Sequence, residues 1–420
     1  MHDVIVVGAG PAGNIAALQL AGQGHRVAVV DGRTEIGDKL CTGIIGAECA
    51  RRFPPDESDI YAYARSATVI APSGAEYRVA RDETQAYVID RVAYVRRLAE
   101  RAMDAGAEYR LGQRVVGIEI DNRGAAVRTT FEDAPATISA RLIILGSGFG
   151  SSLLAMAGLR SQGSREHMAG TQAVVDLRRP TDTVVYLGEK VAPGSFAWLV
   201  PTSQTQGLAG MAGRGRQNGR FDKFLATLRD DGRICGPAYE PRRWGIPLKP
   251  VQKSYGPRVM AVGDAAGLVK PTSGDGIYYA LLSGEIAANV AHDALMAGDF
   301  SAKRLSHYER GWKAIFGSEL RIGYYTRMLY ETLGDRQIER LLKTFLSPDV
   351  QDELINVRDF SFDWHSKIIL RAIRHGELRS LVTSFGPAVA PFLSRLTGMS
   401  PRAENDIELF DSPPKPANRV

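Results

Sequence analysis

Asp3-Val4-Ile5-Val6-Val7-Gly8-Ala9-Gly10-Pro11-Ala12-Gly13 runs from an apolar segment into a glycine-rich turn. The chain continues through Ile15–Ala21 at helical period to a second apolar run, Val27-Ala28-Val29-Val30-Asp31. Unbroken branched runs of this length fit strands buried on both faces of a parallel sheet, so the order is strand, helix, strand. Gly8 permits the tight turn, Gly10 lets backbone approach a pyrophosphate, and Gly13 lets the helix pack close to the strand. The free N–H groups at the start of that helix favour an anion, and Asp31 stands where an acid bonds the adenosine ribose. A Rossmann-type α/β domain is therefore expected, with the motif itself open to FAD or NAD.

At 420 residues, the chain is long enough for two or three domains. It is 44% hydrophobic and 24% charged, an ordinary globular balance. The net charge of +5 suits an anionic ligand or a membrane surface, but without a Lys/Arg run it gives no case for nucleic acid. Cys41, Cys49 and Cys235 are too few for a disulfide framework or an iron–sulfur cluster, and point to a reducing cytoplasm. The first strand starts too early for a signal peptide, and no apolar run approaches the ~20 residues of a membrane span. A cytoplasmic protein, soluble or peripheral to the membrane, is expected. The seven histidines show no metal-ligand spacing, so no metal is expected.

Further along, Ala67–Ala71 and Glu76–Ala80 flank Pro72-Ser73-Gly74 as a hairpin, and Arg91–Ala105 is helical up to Gly106. Val115–Ile120, Ala125–Phe131 and Arg141–Leu145 read as strands. Four more follow between Thr171 and Gly213, as an inserted antiparallel sheet. Arg258–Val262 returns to a buried strand ahead of Gly263-Asp264, and the chain after Gly276 is mostly helical. Gly146-Ser147-Gly148-Phe149-Gly150 is glycine-rich too, but the helix behind it is short. The next strand ends at Asp176, 30 residues from Gly146, where a second dinucleotide domain needs ~20. The electron donor, NAD(P)H or a reduced carrier, is thus expected to bind transiently or to be a protein.

The segment Gly263-Asp264-Ala-Ala-Gly267-Leu-Val-Lys-Pro271-Thr-Ser-Gly274-Asp-Gly276-Ile277-Tyr278-Tyr279 resembles the cofactor motif of the geranylgeranyl reductases, within the glutathione-reductase-like flavoproteins that include aromatic hydroxylases. Gly146–Ser151 resembles their middle flavin motif. Gly194-Ser-Phe196-Ala-Trp198-Leu-Val-Pro201 resembles their Gly-x-x-Trp-x-x-Pro strand. Gly245-Ile246-Pro247, Asp90-Arg91 and the loop Ile36–Gly43 with Cys41 match as well. That loop departs from the commonest form, with Leu40 before Cys41 and Thr42 after it.

The resemblance implies FAD as cofactor, held by Gly8, Gly10, Gly13, Asp31, Cys41, Gly43, Arg91, Gly148, Gly263, Asp264, Gly274, Gly276 and Ile277. It implies one discontinuous FAD-binding domain (1–60, 86–160, 256–298), a substrate domain (61–85, 161–255), a helical region (299–400) and a disordered tail (401–420). The implied activity is reduction of carbon–carbon double bonds in an isoprenoid lipid or prenyl diphosphate. Cys41 is the candidate proton donor, Tyr278 and Tyr279 are further candidates, and Phe196, Trp198 and Pro201 face the substrate. Two alternatives stay open: a monooxygenase hydroxylating a small aromatic, and a prenyl-binding protein without chemistry. Leu381–Leu396, with Arg371, Arg374, Arg379 and Arg395 around it, either meets a membrane surface or caps the core.

Overall fold

The computed structural model describes residues 1–37, 41–131, 134–159, 166–179, 181–215, 219–347, 350, 361–387 and 389–400. The expected tail at 401–420 lies outside them, as does Leu40.

The opening strand His2–Val7 is the middle of a parallel sheet, between Val27–Val30 on one side and the long strand Ala134–Leu145 on the other. Val259–Ala261 and Glu108–Arg110 extend it at its two ends, both parallel. Val4–Val6 and Val27–Val30 are at most 1% exposed, so the unbroken apolar runs are strands covered on both faces. Helices Pro11–Gly22 and Ile277–Ala297 cross against each other, so closely that a Cβ on Gly284 would lie 2.3 Å from the Ala12 carbonyl oxygen. Arg114–Ile120 and Ala125–Phe131 fold onto Ala134–Leu145 as an antiparallel meander.

The inserted sheet is antiparallel apart from one pair. Its order is Ile234–Cys235, His167–Leu177, Gln206–Gly213, Phe196–Pro201, Thr183–Leu187, Ser66–Ile70 and Glu76–Ala80, with Thr183–Leu187 and Ser66–Ile70 parallel. Helix Arg220–Asp230 covers one face through Phe221, Phe224, Leu225 and Leu228. Strand Arg242–Pro247 adds to His167–Leu177 and carries the chain back to the cofactor side.

A third sheet was not expected: Ile44–Gly46, Ala86–Ile89 and Ile60–Ala64 pair antiparallel between the other two. The first core also runs past 298. Leu305, Tyr308, Trp312, Ile315 and Phe316 belong to it, because helix Ala302–Trp312 packs back under helix 277–297. The later helices make their own core, in which Val382, Val389, Leu393 and Leu396 are buried against Ile322, Leu329, Leu333 and Ile338. Of the two readings of Leu381–Leu396, the packing matches the core cap. The four arginines around it stay exposed.

Candidate functional site

A cavity of about 770 Å³ opens at the carboxyl ends of the parallel strands. Gly8 has φ +108, and a Cβ there would stand 2.3 Å from the Gly146 carbonyl oxygen; the two glycine-rich turns cross at this point. A Cβ on Gly13 would come within 2.0 Å of the Gly8 oxygen, so that residue seats the helix against the turn. Gly10 differs: a Cβ there would meet nothing within 4 Å, because it faces the cavity. Gly10 is also the N-cap of helix 11–22 and no side chain caps that end, so its first N–H groups face an open, polar space. Asp31 fixes the turn, accepting from Ala9 N–H and Arg33 N–H at 2.8 Å each, and it lines the cavity. Asn14, fully buried, ties the same turn to its surroundings by donating to the Ala9 and Val95 carbonyls and accepting from Tyr109.

From the far end of the chain, Gly263 and Asp264 enter the same cavity with Gly274, Gly276 and Ile277. A Cβ at Gly276 would press on Asp264 Oδ1 at 3.0 Å, so the two expected motifs are one site. Gly148 is here as well, and Phe149 lies over Gly245, where a Cβ would clash at 2.3 Å. An open glycine at an uncapped helix end, an acid at the second strand end and a long cavity together fit a dinucleotide.

Cys41 also reaches this cavity, and the loop leading to it is held from several sides. Arg91, buried at the start of helix Arg91–Asp104, donates to the Gly37 carbonyl at 2.6 Å. Ile89 N–H donates to the Gly43 carbonyl at 2.8 Å, and Gly43 N–H points at Cys41 Sγ at 3.5 Å. Gly43 has φ +73, and a Cβ would be 2.5 Å from the Ile89 oxygen, so only glycine makes this turn. Gly13 and Gly43 shape the cavity without lining it.

Tyr278 and Tyr279 are a correction. Neither lines the cavity. Both point the other way into the core, 6% and 2% exposed. Tyr278 donates to Glu48 Oε1 at 2.8 Å, and Tyr279 donates to the Asp363 carbonyl and stacks on Phe316. Burial pushes both phenols far up. At the first turn of a helix buried all round, residues one apart leave by different sides, and these two left away from the cofactor.

Behind the Gly274–Gly276 turn, the segment Phe362–Ser366 clasps the cofactor-binding core. Asp363 accepts from Glu48 N–H at 2.9 Å and Cys49 N–H at 3.3 Å, capping helix Ala47–Arg52 where Gly46 cannot. Trp364 donates to Glu48, His365 pairs with Thr272 at 2.8 Å, and buried Lys270 donates to the Phe362 carbonyl and lies 3.3 Å from Asp275. Burial holds the Asp363 carboxyl at about 6.

On the side of the inserted sheet, Trp198 is 7% exposed and lies one layer behind the cavity wall. Trp244 is the ring in the wall itself, edge-on to Trp198 with centroids 6.3 Å apart. Phe196 neighbours Trp198 at 5.7 Å. These rings belong to an apolar cluster with Met168, Val200, Leu248, Tyr324 and Met328, and the cluster shares Trp244, Ile246 and Val269 with the cavity wall. Pro201 is outside this cluster, at the strand end opposite Gly207. The sequence reading missed Trp244 and Gln172. The available signal was a buried amide in an otherwise apolar run, Thr171-Gln172-Ala173-Val174-Val175. Among the described residues no cluster of His, Cys, Asp and Glu is placed to hold a metal ion.

Fold and site define an FAD-dependent oxidoreductase, and the family model described as FAD dependent oxidoreductase matches residues 3–237, more than half of the chain. The chain is 30% identical to digeranylgeranylglycerophospholipid reductase 1 of Methanopyrus kandleri over 84% of its own length and 96% of that protein. It is 28% identical to the digeranylgeranylglycerophospholipid reductase of Methanocaldococcus jannaschii, over 81% and 90%. Its fold matches that of a geranylgeranyl bacteriochlorophyll reductase-like protein from Thermoplasma acidophilum, with a TM-score of 0.79, 24% identity and coverage of 90% and 99%. The chain belongs to the geranylgeranyl reductase family.

Proposed function

We propose that this chain saturates the carbon–carbon double bonds of a polyprenyl chain carried by an isoprenoid lipid. The observation that carries the reading is the shared wall: Trp244, Ile246 and Val269 face the cofactor cavity on one side and an apolar, aromatic cluster on the other. Bound reduced FAD supplies the hydride. The protein's residues supply the rest. Gly10, the uncapped helix end and Asp31 would hold the adenosine half. Asp264, with the Gly274–Gly276 turn, would hold the remainder of the cofactor. An isolated trisubstituted alkene has no group to accept negative charge, so a proton must arrive as the hydride does. Cys41, which lines the cavity, is the proposed donor. The apolar cluster binds the chain and excludes water. NAD(P)H or a reduced carrier protein is the donor.

No helix among the described residues is long and apolar enough to cross a membrane. In this reading the lipid is met at a membrane surface by exposed polar and basic side chains. The test is anaerobic: reduce the flavin with dithionite, then add a geranylgeranyl lipid or a small phenol. Flavin reoxidation by the lipid, with product gaining two mass units per bond, supports the proposal. Indifference to every prenyl compound, with phenol hydroxylation in air, would overturn it in favour of a monooxygenase.

A further inference from the structure

Gln172 is 1% exposed in the inserted sheet and takes no part in the chemistry set out above. It lies on strand His167–Leu177 directly opposite Gly210, and Gly210 lies opposite Trp198 on the next strand. Residues paired across neighbouring strands share a face, so the three form one row. The middle member has no side chain. A Cβ at Gly210 would stand 2.4 Å from the Trp198 ring, so the indole lies flat over it and reaches the amide. Trp198 Nε1–H donates to Gln172 Oε1 at 3.2 Å. The same oxygen accepts the Thr42 hydroxyl at 3.0 Å, while the amide nitrogen donates to the Cys41 carbonyl at 3.4 Å.

We propose that Gln172 is a positioning residue that sets Cys41 in the cofactor cavity and couples it to the indole of Trp198. Among the described residues, the other bonds on this loop run from Arg91 to Gly37, from Ile89 to Gly43 and, within the loop, from Gly43 N–H to Cys41 Sγ. Gln172 alone, among the bonds described, holds Cys41 and Thr42 from the substrate side. The task requires one group that accepts twice and donates once, a combination met by a side-chain amide but not by a carboxylate or a hydrocarbon. A prenyl chain pressing on Trp244 in the cavity wall would be felt at the Trp198 indole behind it and, through Gln172, at the thiol. The role of the thiol rests on the proposed function; the tie itself does not.

The test uses the purified, FAD-loaded enzyme and the variants Gln172→Met and Thr42→Val. Flavin absorbance reports cofactor content. Iodoacetamide labelling of Cys41 under nitrogen, followed by peptide mass spectrometry from neutral to alkaline pH, reports the thiol's setting, with Cys235 as internal reference. The expected result is full flavin content with the Cys41 labelling rate changed by about threefold or more and its pH profile displaced. Single-turnover reoxidation by geranylgeranyl lipid should slow on the order of tenfold, with half-saturation little changed. Cys41 labelling identical to wild type in Gln172→Met overturns the proposal. If that variant does not fold, Thr42→Val decides in the same way. Altered labelling in an enzyme whose wild type ignores prenyl lipids leaves the tie standing and rejects the substrate reading instead.

Discussion

Two glycines of one turn respond to substitution in opposite ways. Gly10→Val places its methyl groups in open cavity, so the protein should fold, melt near the wild-type apo temperature and purify colourless. Gly13→Ala drives a Cβ to within 2.0 Å of the Gly8 carbonyl oxygen, and relief requires moving a helix. Overpacking of this kind costs about 1–3 kcal/mol or more, so Gly13→Ala should lose soluble protein rather than colour alone. Absorbance and circular dichroism separate the two cases, and full flavin content in Gly10→Val would refute the cofactor assignment. Cys41→Ser should stay yellow yet reoxidise with prenyl lipid some 10²–10⁴-fold more slowly, the usual range for losing a general acid. At this scale the sequence was legible wherever a residue's task is set by its own backbone, as at Gly8, Gly10, Gly13 and Asp31. It was silent on Gln172 and Trp244, whose tasks arise from pairing across strands distant in sequence. It misled at Tyr278 and Tyr279, because a helix buried all round gives no period to say which side faces the ligand.

Helix Ala47–Arg52 begins at Gly46, which has no side chain to cap it. A Cβ there would overlap the Asp363 carboxylate at 2.2 Å, so cap and glycine are fitted to each other. Asp363→Ala should destabilise by about 1–2 kcal/mol from the cap alone. The carboxyl sits at about 6 against 3.8 for the free side chain, because burial disfavours its charge. The folded state thus holds the proton more tightly than the unfolded chain. This group's stabilisation is complete below the unfolded value and is lost as pH rises through about 6. Asparagine cannot titrate, so the stability of wild type relative to Asp363→Asn should fall by about 2 kcal/mol between pH 4 and pH 7. Guanidinium unfolding at the two pH values checks this, and a pH-independent difference would contradict it. The long elements were legible from period and punctuation, including helix Arg91–Asp104 ending before Gly106. The sheet of Ile44–Gly46, Ile60–Ala64 and Ala86–Ile89 was not. Strands of three to five residues carry too little alternation to stand out, and these owe their form to the two larger sheets around them.

For the molecule as a whole, the cofactor cavity is assembled from the first strand, the middle turn, strand Arg242–Pro247 and the Gly263–Ile277 segment. A ligand filling it would touch all four of these segments at once. Adding FAD to the apo protein at about a thousandfold over its dissociation constant should raise stability by about 4 kcal/mol. Hydrogen exchange should slow together at the glycine turn, Gly146–Leu153 and Trp244–Pro247. Protection confined to the first turn would mean that these parts do not act as one site. The inserted sheet was legible as a change of period, whereas the division of the C-terminal helices between two cores was not, since apolar faces alone do not name their partners. The cap of helix Ala47–Arg52 arrives with Asp363, 315 residues after Glu48. At ribosomal rates of roughly 5–20 residues per second, that is a delay of about 15–60 s. Until then the nascent chain carries an unfinished helix and an uncovered patch where Trp364 will sit. The start of the polypeptide must be kept from unwanted association while it waits for its own distant continuation to emerge.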